Sequence, residues 1–156
     1  MRLSEMLAAP RIIVDSDGSM VHDKTDALRV IASIIAPVVG SSEGALEQLL
    51  GERERLQSTG IGDGVAIPHT FVEEAPGQAA ALLLCPHGVP FESIDGVPVN
   101  IIFGVVGPKR DTGAHLRALA RISRLLRDDS IRERLVATQD SESAFKLIEE
   151  REATLK

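Results

Sequence analysis

Apolar residues recur along this chain with two periods, and each period marks a kind of element. Ala27, Ile31, Ile34 and Val38 follow Asp23 and Thr25 at helical spacing, with Pro37 near the end, and predict a first helix. Ser42 and Glu43 supply an N-cap and an acidic first turn for a second helix that runs to about Arg55. Ahead of both, residues 1–22 read as a leading segment with one strand, Arg11–Val14, ended by Asp15-Ser16-Asp17-Gly18. The middle of the chain changes period. Residues 65–67, 79–85 and 99–106 are almost continuously apolar, as strands covered on both faces are, and residues 86–96 form a turn-rich connection. The last third is helical again: about 113–127 after Thr112, about 130–137 with the box Ser130-Ile131-Arg132-Glu133, and about 141–152 after Asp140 or Ser141. The pattern predicts a single α/β domain over residues 1–156, with a core from about 5 to 150 and a mixed sheet carrying helices on both faces.

Two of these helices carry a polar residue where the apolar face should be. At about 100° per residue, Leu46, Leu49, Leu50 and Leu56 share one face of the second helix, and Arg53 falls near its middle while Arg55 points outward. Arg53 is then a snorkelling side chain, a structural ion pair or a functional cation. In the helix after Thr112, Leu119, Ile122 and Leu126 form a seam with His115 at its N-terminal end, and Arg117, Arg121 and Arg124 form a solvated stripe opposite. The positive end of a helix disfavours imidazolium, so His115 is expected to be neutral, either as a satisfied core histidine or as a hydrogen-bond donor to an anion.

Between the two helical regions, Ser58-Thr59-Gly60-Ile61-Gly62-Asp63-Gly64-Val65-Ala66-Ile67-Pro68-His69 runs three alternate glycines into a short apolar strand. Glycine permits positive φ and close backbone approach, and Pro68 is expected to end the hydrogen-bonding ladder, leaving His69 at a strand end at the edge of the sheet, facing a shallow cleft.

Composition narrows the chemistry. The chain has 156 residues, enough for one core, which must be aliphatic because there is no Trp or Tyr and only four Phe. A formal charge of −6 argues against a nucleic-acid partner. The single Cys85 lies in an apolar run and reads as a small core residue, and neither a signal peptide nor a membrane span is evident, so a cytoplasmic protein without direct membrane insertion is expected.

Arg53, sixteen positions before His69, the Ser58–His69 wording and the later His115-Leu116-Arg117-Ala118-Leu119 together resemble the enzyme IIA domains of the bacterial phosphotransferase system, of the fructose/mannitol type and most like the nitrogen-regulatory enzyme IIA. The resemblance runs from the first helix to about Glu150. It implies a protein-histidine phosphotransferase in which His69 accepts the phosphoryl group, His115 donates a hydrogen bond to it and Arg53 offsets its charge, with no cofactor and no metal. It implies an HPr-like phosphocarrier as donor, and as onward partner a regulatory target or a IIB domain. Thr70-Phe71 departs from the small residue that family members often carry after the acceptor, and bears on how the donor docks. His22 and His87 match no functional histidine of the family and read as loop residues. Three alternatives stand beside this reading: a sugar-transport enzyme IIA acting with separate IIB and IIC chains, a binding module that has lost phosphotransfer, and a metal site formed by His69, His87 and His115.

Overall fold

The computed structural model describes residues 2–155. Two strands with no polar face form its centre: β5 (Ala79–Val89) and β6 (Val99–Gly107) run antiparallel, with Ala79 opposite Val106 and Leu84 opposite Ile101. β1 (Ile12–Val14) lies parallel to β5, and β3 (Val65–Ala66) parallel to β6 with β2 (Gly60–Gly62) antiparallel outside it. A further short strand, β4 (His69–Phe71), pairs in parallel with the end of β6, His69 opposite Val105. The sheet is mixed, in the order β1-β5-β6-β3-β2 with β4 on β6.

Alternate residues of the two central strands enter two separate cores. Ala79, Ala81, Leu83, Ile102 and Val106 face the core under α2 (Lys24–Val39) and α3 (Glu43–Leu56). Ala80, Leu82, Leu84, Ile101, Phe103 and Val105 face the other, covered by α1 (Leu3–Met6), α4 (Thr112–Leu125), α5 (Asp129–Ala137) and α6 (Ser141–Thr154). Past Asn100, the apolar run of β6 is interrupted in its middle by Gly104. A Cβ there would lie 2.5 Å from Cγ2 of Ile31, so its bare backbone sets how closely α2 seats on the sheet.

The α/β class, the helices on both faces and the helical caps agree with the sequence pattern, Asp23, Ser42 and Asp140 each accepting a backbone N–H of the first turn. Several expectations need correction. The leading segment also contains α1, four residues long and too short to show a period. β5 continues through the residues expected as a turn, with a bulge between Leu84 and Val89 where the Asn100 amide donates to the carbonyls of Cys85 and Pro86. α5 is capped by Asp128, whose carboxylate accepts the Ser130 N–H at 2.8 Å, rather than by the Ser130 box. Pro68 interrupts the ladder and does not end it: its carbonyl accepts the Val105 N–H at 3.0 Å, and pairing with β6 resumes at His69.

Candidate functional site

The glycine segment brings the chain from the end of α3 to the sheet. Gly62, Asp63 and Gly64 all have positive φ (99°, 57° and 77°), which only a glycine-flanked turn tolerates, and the turn sends β3 back along β2. The Gly64 carbonyl then accepts the N–H groups of Asn100 and Ile101, docking β3 onto β6. With β3 held, the break at Ile67-Pro68 offsets the chain and His69 opens β4, half-buried. Its Nδ1–H donates to the Ile67 carbonyl at 2.7 Å. A carbonyl can only accept, so the proton is fixed on Nδ1 and Nε2 carries the lone pair. Burial holds the pKa of His69 below its ordinary value, opposed by the Ile67 carbonyl, with Arg53 lowering it further and Glu54 raising it.

α4 packs on β6 and carries His115 against this edge, its ring centroid 5.7 Å from that of His69 and 4.5 Å from that of Phe71. His115 is buried, and burial, then the neighbouring His69, push its pKa down to about 4. Both imidazoles are therefore neutral near neutral pH. The Phe71 ring lies on His115, so its bulk is packed within the site, while Thr70 is held in β4 opposite Val106.

Arg53 is not in the middle of a buried face. The buried stripe of α3 is Leu46, Leu50 and Glu54, and Leu56 is 82% exposed. Arg53 flanks the stripe, half-buried, its guanidinium donating to the Gln57 carbonyl at 3.0 Å, and its charge acts on His69. The residue that sequence reasoning missed here is Glu54. Its carboxylate accepts the Thr59 N–H at 2.7 Å and the Thr59 hydroxyl, and stands 3.5 Å from the Lys24 ammonium, tying α3 to the head of the glycine segment. A second missed residue is Gln78, whose Oε1 lies 2.9 Å from Nδ1 of His115; the four-residue spacing from Leu46 pointed to Glu54, whereas nothing in the sequence marked Gln78.

His87 does not join the other two histidines. Gln78 and Ala79 stand at the His115 end of β5, and eight residues of strand, about 25 Å, separate Ala79 from His87. His87 is also part of β5 and not of a loop, and its Nε2–H donates to the Val21 carbonyl at 2.8 Å. Its neighbours are Asp15 and Cys85, ligand atoms within 4.8 Å of one another, but the Asp15 carboxylate already accepts the Met20 and Val21 N–H groups. Cys85 is buried and its thiol is pushed up to about 12 by burial and by Asp15. His22 stays in the loop before α2, 3.1 Å from Asp26.

Among the described residues no helix is long and apolar enough to cross a membrane. Residues 7–151 match the family described as phosphoenolpyruvate-dependent sugar phosphotransferase system, EIIA 2. A nitrogen regulatory protein of Bradyrhizobium diazoefficiens is 35% identical over 142 residues, 91% of this chain and 92% of that protein. The fructose-specific EIIABC component of Bacillus subtilis is 27% identical over 95% of this chain, which spans 23% of that longer protein. The crystal structure of the nitrogen regulatory protein IIA-Ntr from Neisseria meningitidis superposes with a TM-score of 0.87 at 29% identity, over 94% of this chain and 98% of that one. The mannitol IIA of Escherichia coli shares the fold, with a TM-score of 0.73 at 23% identity over 90% and 97%. A mixed sheet with a histidine at the head of a broken edge strand and a second histidine beside it, the family match over residues 7–151 and the nitrogen regulatory relatives matched over nearly their whole length together place the chain in the EIIA type 2 family of the phosphotransferase system, the phosphocarrier domains to which the nitrogen regulatory proteins belong.

Proposed function

We propose that Nε2 of His69 is the phosphoryl acceptor, charged by an HPr-like phosphohistidine donor, and that phosphorylation of this site serves a regulatory role. The observation that carries the reading is the Nδ1–H bond to the Ile67 carbonyl, which leaves the nucleophilic lone pair on the other nitrogen of a neutral ring. In the transfer, that lone pair forms a P–N bond as the P–N bond to the donor imidazole breaks, and the donor keeps the electron pair. Such a step depends on in-line positioning and on charge stabilisation over the equatorial oxygens. Arg53 supplies a planar cation from the end of α3, and His115 a second polar group from α4. The Ile67 carbonyl keeps the Nδ1 proton of His69 in place throughout, so no proton has to move at the acceptor as the bond forms.

The regulatory reading rests on nitrogen regulatory relatives matched over nearly their whole length, the Bradyrhizobium protein over 92%. A sugar-transport role, with phosphate passed to a IIB partner, is the second reading, favoured by the fructose-specific EIIA component of Haloferax volcanii, 29% identical over 72% of both chains. Incubation with a phosphorylated HPr-type donor tests the central claim. The wild-type chain should gain one acid-labile, alkali-stable phosphate and His69→Ala none; uptake by His69→Ala at the wild-type rate would refute it. Cleavage of the labelled protein to peptides should place the phosphate on the segment holding His69 and never on the one holding His115.

A further inference from the structure

His115 and Gln78 share an unresolved balance of hydrogen bonds. His115 is 1% exposed and Gln78 8%, so both lie away from bulk solvent, and their one mutual bond leaves Nε2 of His115 and Nε2 of Gln78 both buried without a partner. Gln78 is seated for this contact. A Cβ on Gly107 would fall 2.1 Å from its Oε1 and 2.2 Å from its Nε2, so the carboxamide lies flat over bare backbone at the end of β6.

Resting on the reading that His69 carries the phosphoryl group, we propose that Gln78 is a positioning residue that fixes which ring nitrogen of His115 bears the proton, and thereby keeps the lone pair of His69 free until phosphate arrives. The argument follows from donor and acceptor roles. With Oε1 of Gln78 against Nδ1, a neutral His115 must carry its hydrogen on Nδ1 and a bare lone pair on Nε2. With ring centroids 5.7 Å apart, the two imidazoles are near enough for a direct or single-water hydrogen bond. The two rings make no direct hydrogen bond, but were Nε2 of His115 protonated at rest, one bridging water or a small ring rotation would let it donate to Nε2 of His69 and occupy the nucleophile. The Gln78 carbonyl prevents that.

After phosphorylation the requirement reverses, because a phosphoryl oxygen beside His115 needs a donor. Turning the Gln78 carboxamide over exchanges its oxygen and nitrogen without changing its shape. The amide N–H then donates to Nδ1 of His115, and in a local opening that admits water, water takes the proton from Nδ1 and supplies one to Nε2, the ring remaining neutral. The orphaned Nε2 of His115 gains its partner in the phosphoryl group. Low basicity of His115 supports the scheme, since an imidazolium would donate from both nitrogens and need no such control.

Ring-nitrogen NMR of the 15N-labelled chain tests this directly. The free wild-type protein should show His115 protonated on Nδ1, and the phosphorylated protein on Nε2. Gln78→Met keeps the length and removes both hydrogen-bonding atoms, and Gly107→Ala pushes the carboxamide off its seat; in each, free His115 should move to the Nε2–H form. Phosphate uptake should slow about three- to tenfold, the effect of one neutral hydrogen bond. A merely structural Gln78 would lower the melting temperature and leave the tautomer of His115 unchanged. That result, or an Nε2–H tautomer in the free wild-type chain, would overturn the proposal. If His69 takes up no phosphate the carrier reading falls instead, while the free-protein spectra still decide what Gln78 does.

Discussion

A buried imidazole links the stability of this fold to pH. His115 has its pKa pushed down to about 4 by burial and by His69, whereas an imidazole in the unfolded chain titrates near 6.5. Above about pH 6.5 both states are neutral and the fold keeps its full stability. Between 6.5 and 4 the unfolded state binds a proton that the folded state refuses, so stability falls as pH falls, by about 3 kcal/mol over the whole window. The lowered pKa of His69 acts in the same direction. Melting temperatures at pH 7.5 and 4.5 should therefore fall less for His115→Leu than for the wild type; an equal fall would mean that other groups carry the acid sensitivity. Arg53 makes the opposite kind of contribution. It is half-buried and its one hydrogen bond goes to the neighbouring Gln57 carbonyl, so folding draws little from it. Arg53→Ala should slow phosphate uptake by roughly ten- to a hundredfold, the loss of a charge-assisted hydrogen bond, with its melting temperature near wild type. Arg53→Lys should recover part of the rate, since an ammonium keeps the charge and loses the fork. Unchanged uptake with a lowered melting temperature would make Arg53 structural.

The junction between α3 and the glycine segment is the element on which the geometry of the site depends. Glu54 closes it, buried, accepting the Thr59 N–H and hydroxyl beside the Lys24 ammonium. Removing that carboxylate leaves the buried Thr59 N–H and hydroxyl without their acceptor, while Lys24 keeps Glu92 at 3.2 Å, so Glu54→Ala should cost on the order of 2–3 kcal/mol in a denaturant melt, with Glu54→Gln recovering part of it. A cost below about 0.5 kcal/mol, typical of surface substitutions, would show that the Thr59 contact does not hold the segment. The same helix shows why the site was only partly legible. Helical period identified α3 and its Ser42 cap, but Leu56 was counted into the apolar face. At the C-terminal end of the helix it has nothing to pack against, and its inclusion rotated the inferred face towards Arg53 and away from Leu46, Leu50 and Glu54. Local chemistry likewise told that Pro68 breaks a strand, and could not tell that β6 continues far enough to pair again with His69–Phe71. His69 and His115 were recognisable because their residue types and spacing match a family. Gln78 was not, because its role exists only where the start of β5, the end of β6 and α4 converge.

At the scale of the molecule, two cores on opposite faces of one sheet must be closed by the ends of the chain. The face opposite α2 and α3 is covered partly by α1 and α6, which come from the two termini and meet through Glu152. Its buried carboxylate accepts the Leu3 N–H at 2.6 Å and the Ser4 N–H at 3.3 Å, and lies 3.8 Å from the Arg121 guanidinium. A helix of four residues cannot satisfy its own first N–H groups, so α1 is held by this contact and by the burial of Leu3, Met6 and Leu7. Arg121 lies six residues along α4 from His115, about 9 Å, so the closure is separated from the histidine pair by a stretch of rigid helix. Glu152→Ala should therefore destabilise the fold by about 1–3 kcal/mol and speed hydrogen exchange at Leu3 and Ser4, while phosphate uptake at His69 stays at the wild-type rate below the melting transition. If uptake falls in proportion to stability at temperatures where the variant is still folded, the two faces of the sheet are coupled, and the site depends on how the chain ends are joined as well as on the strand that carries it.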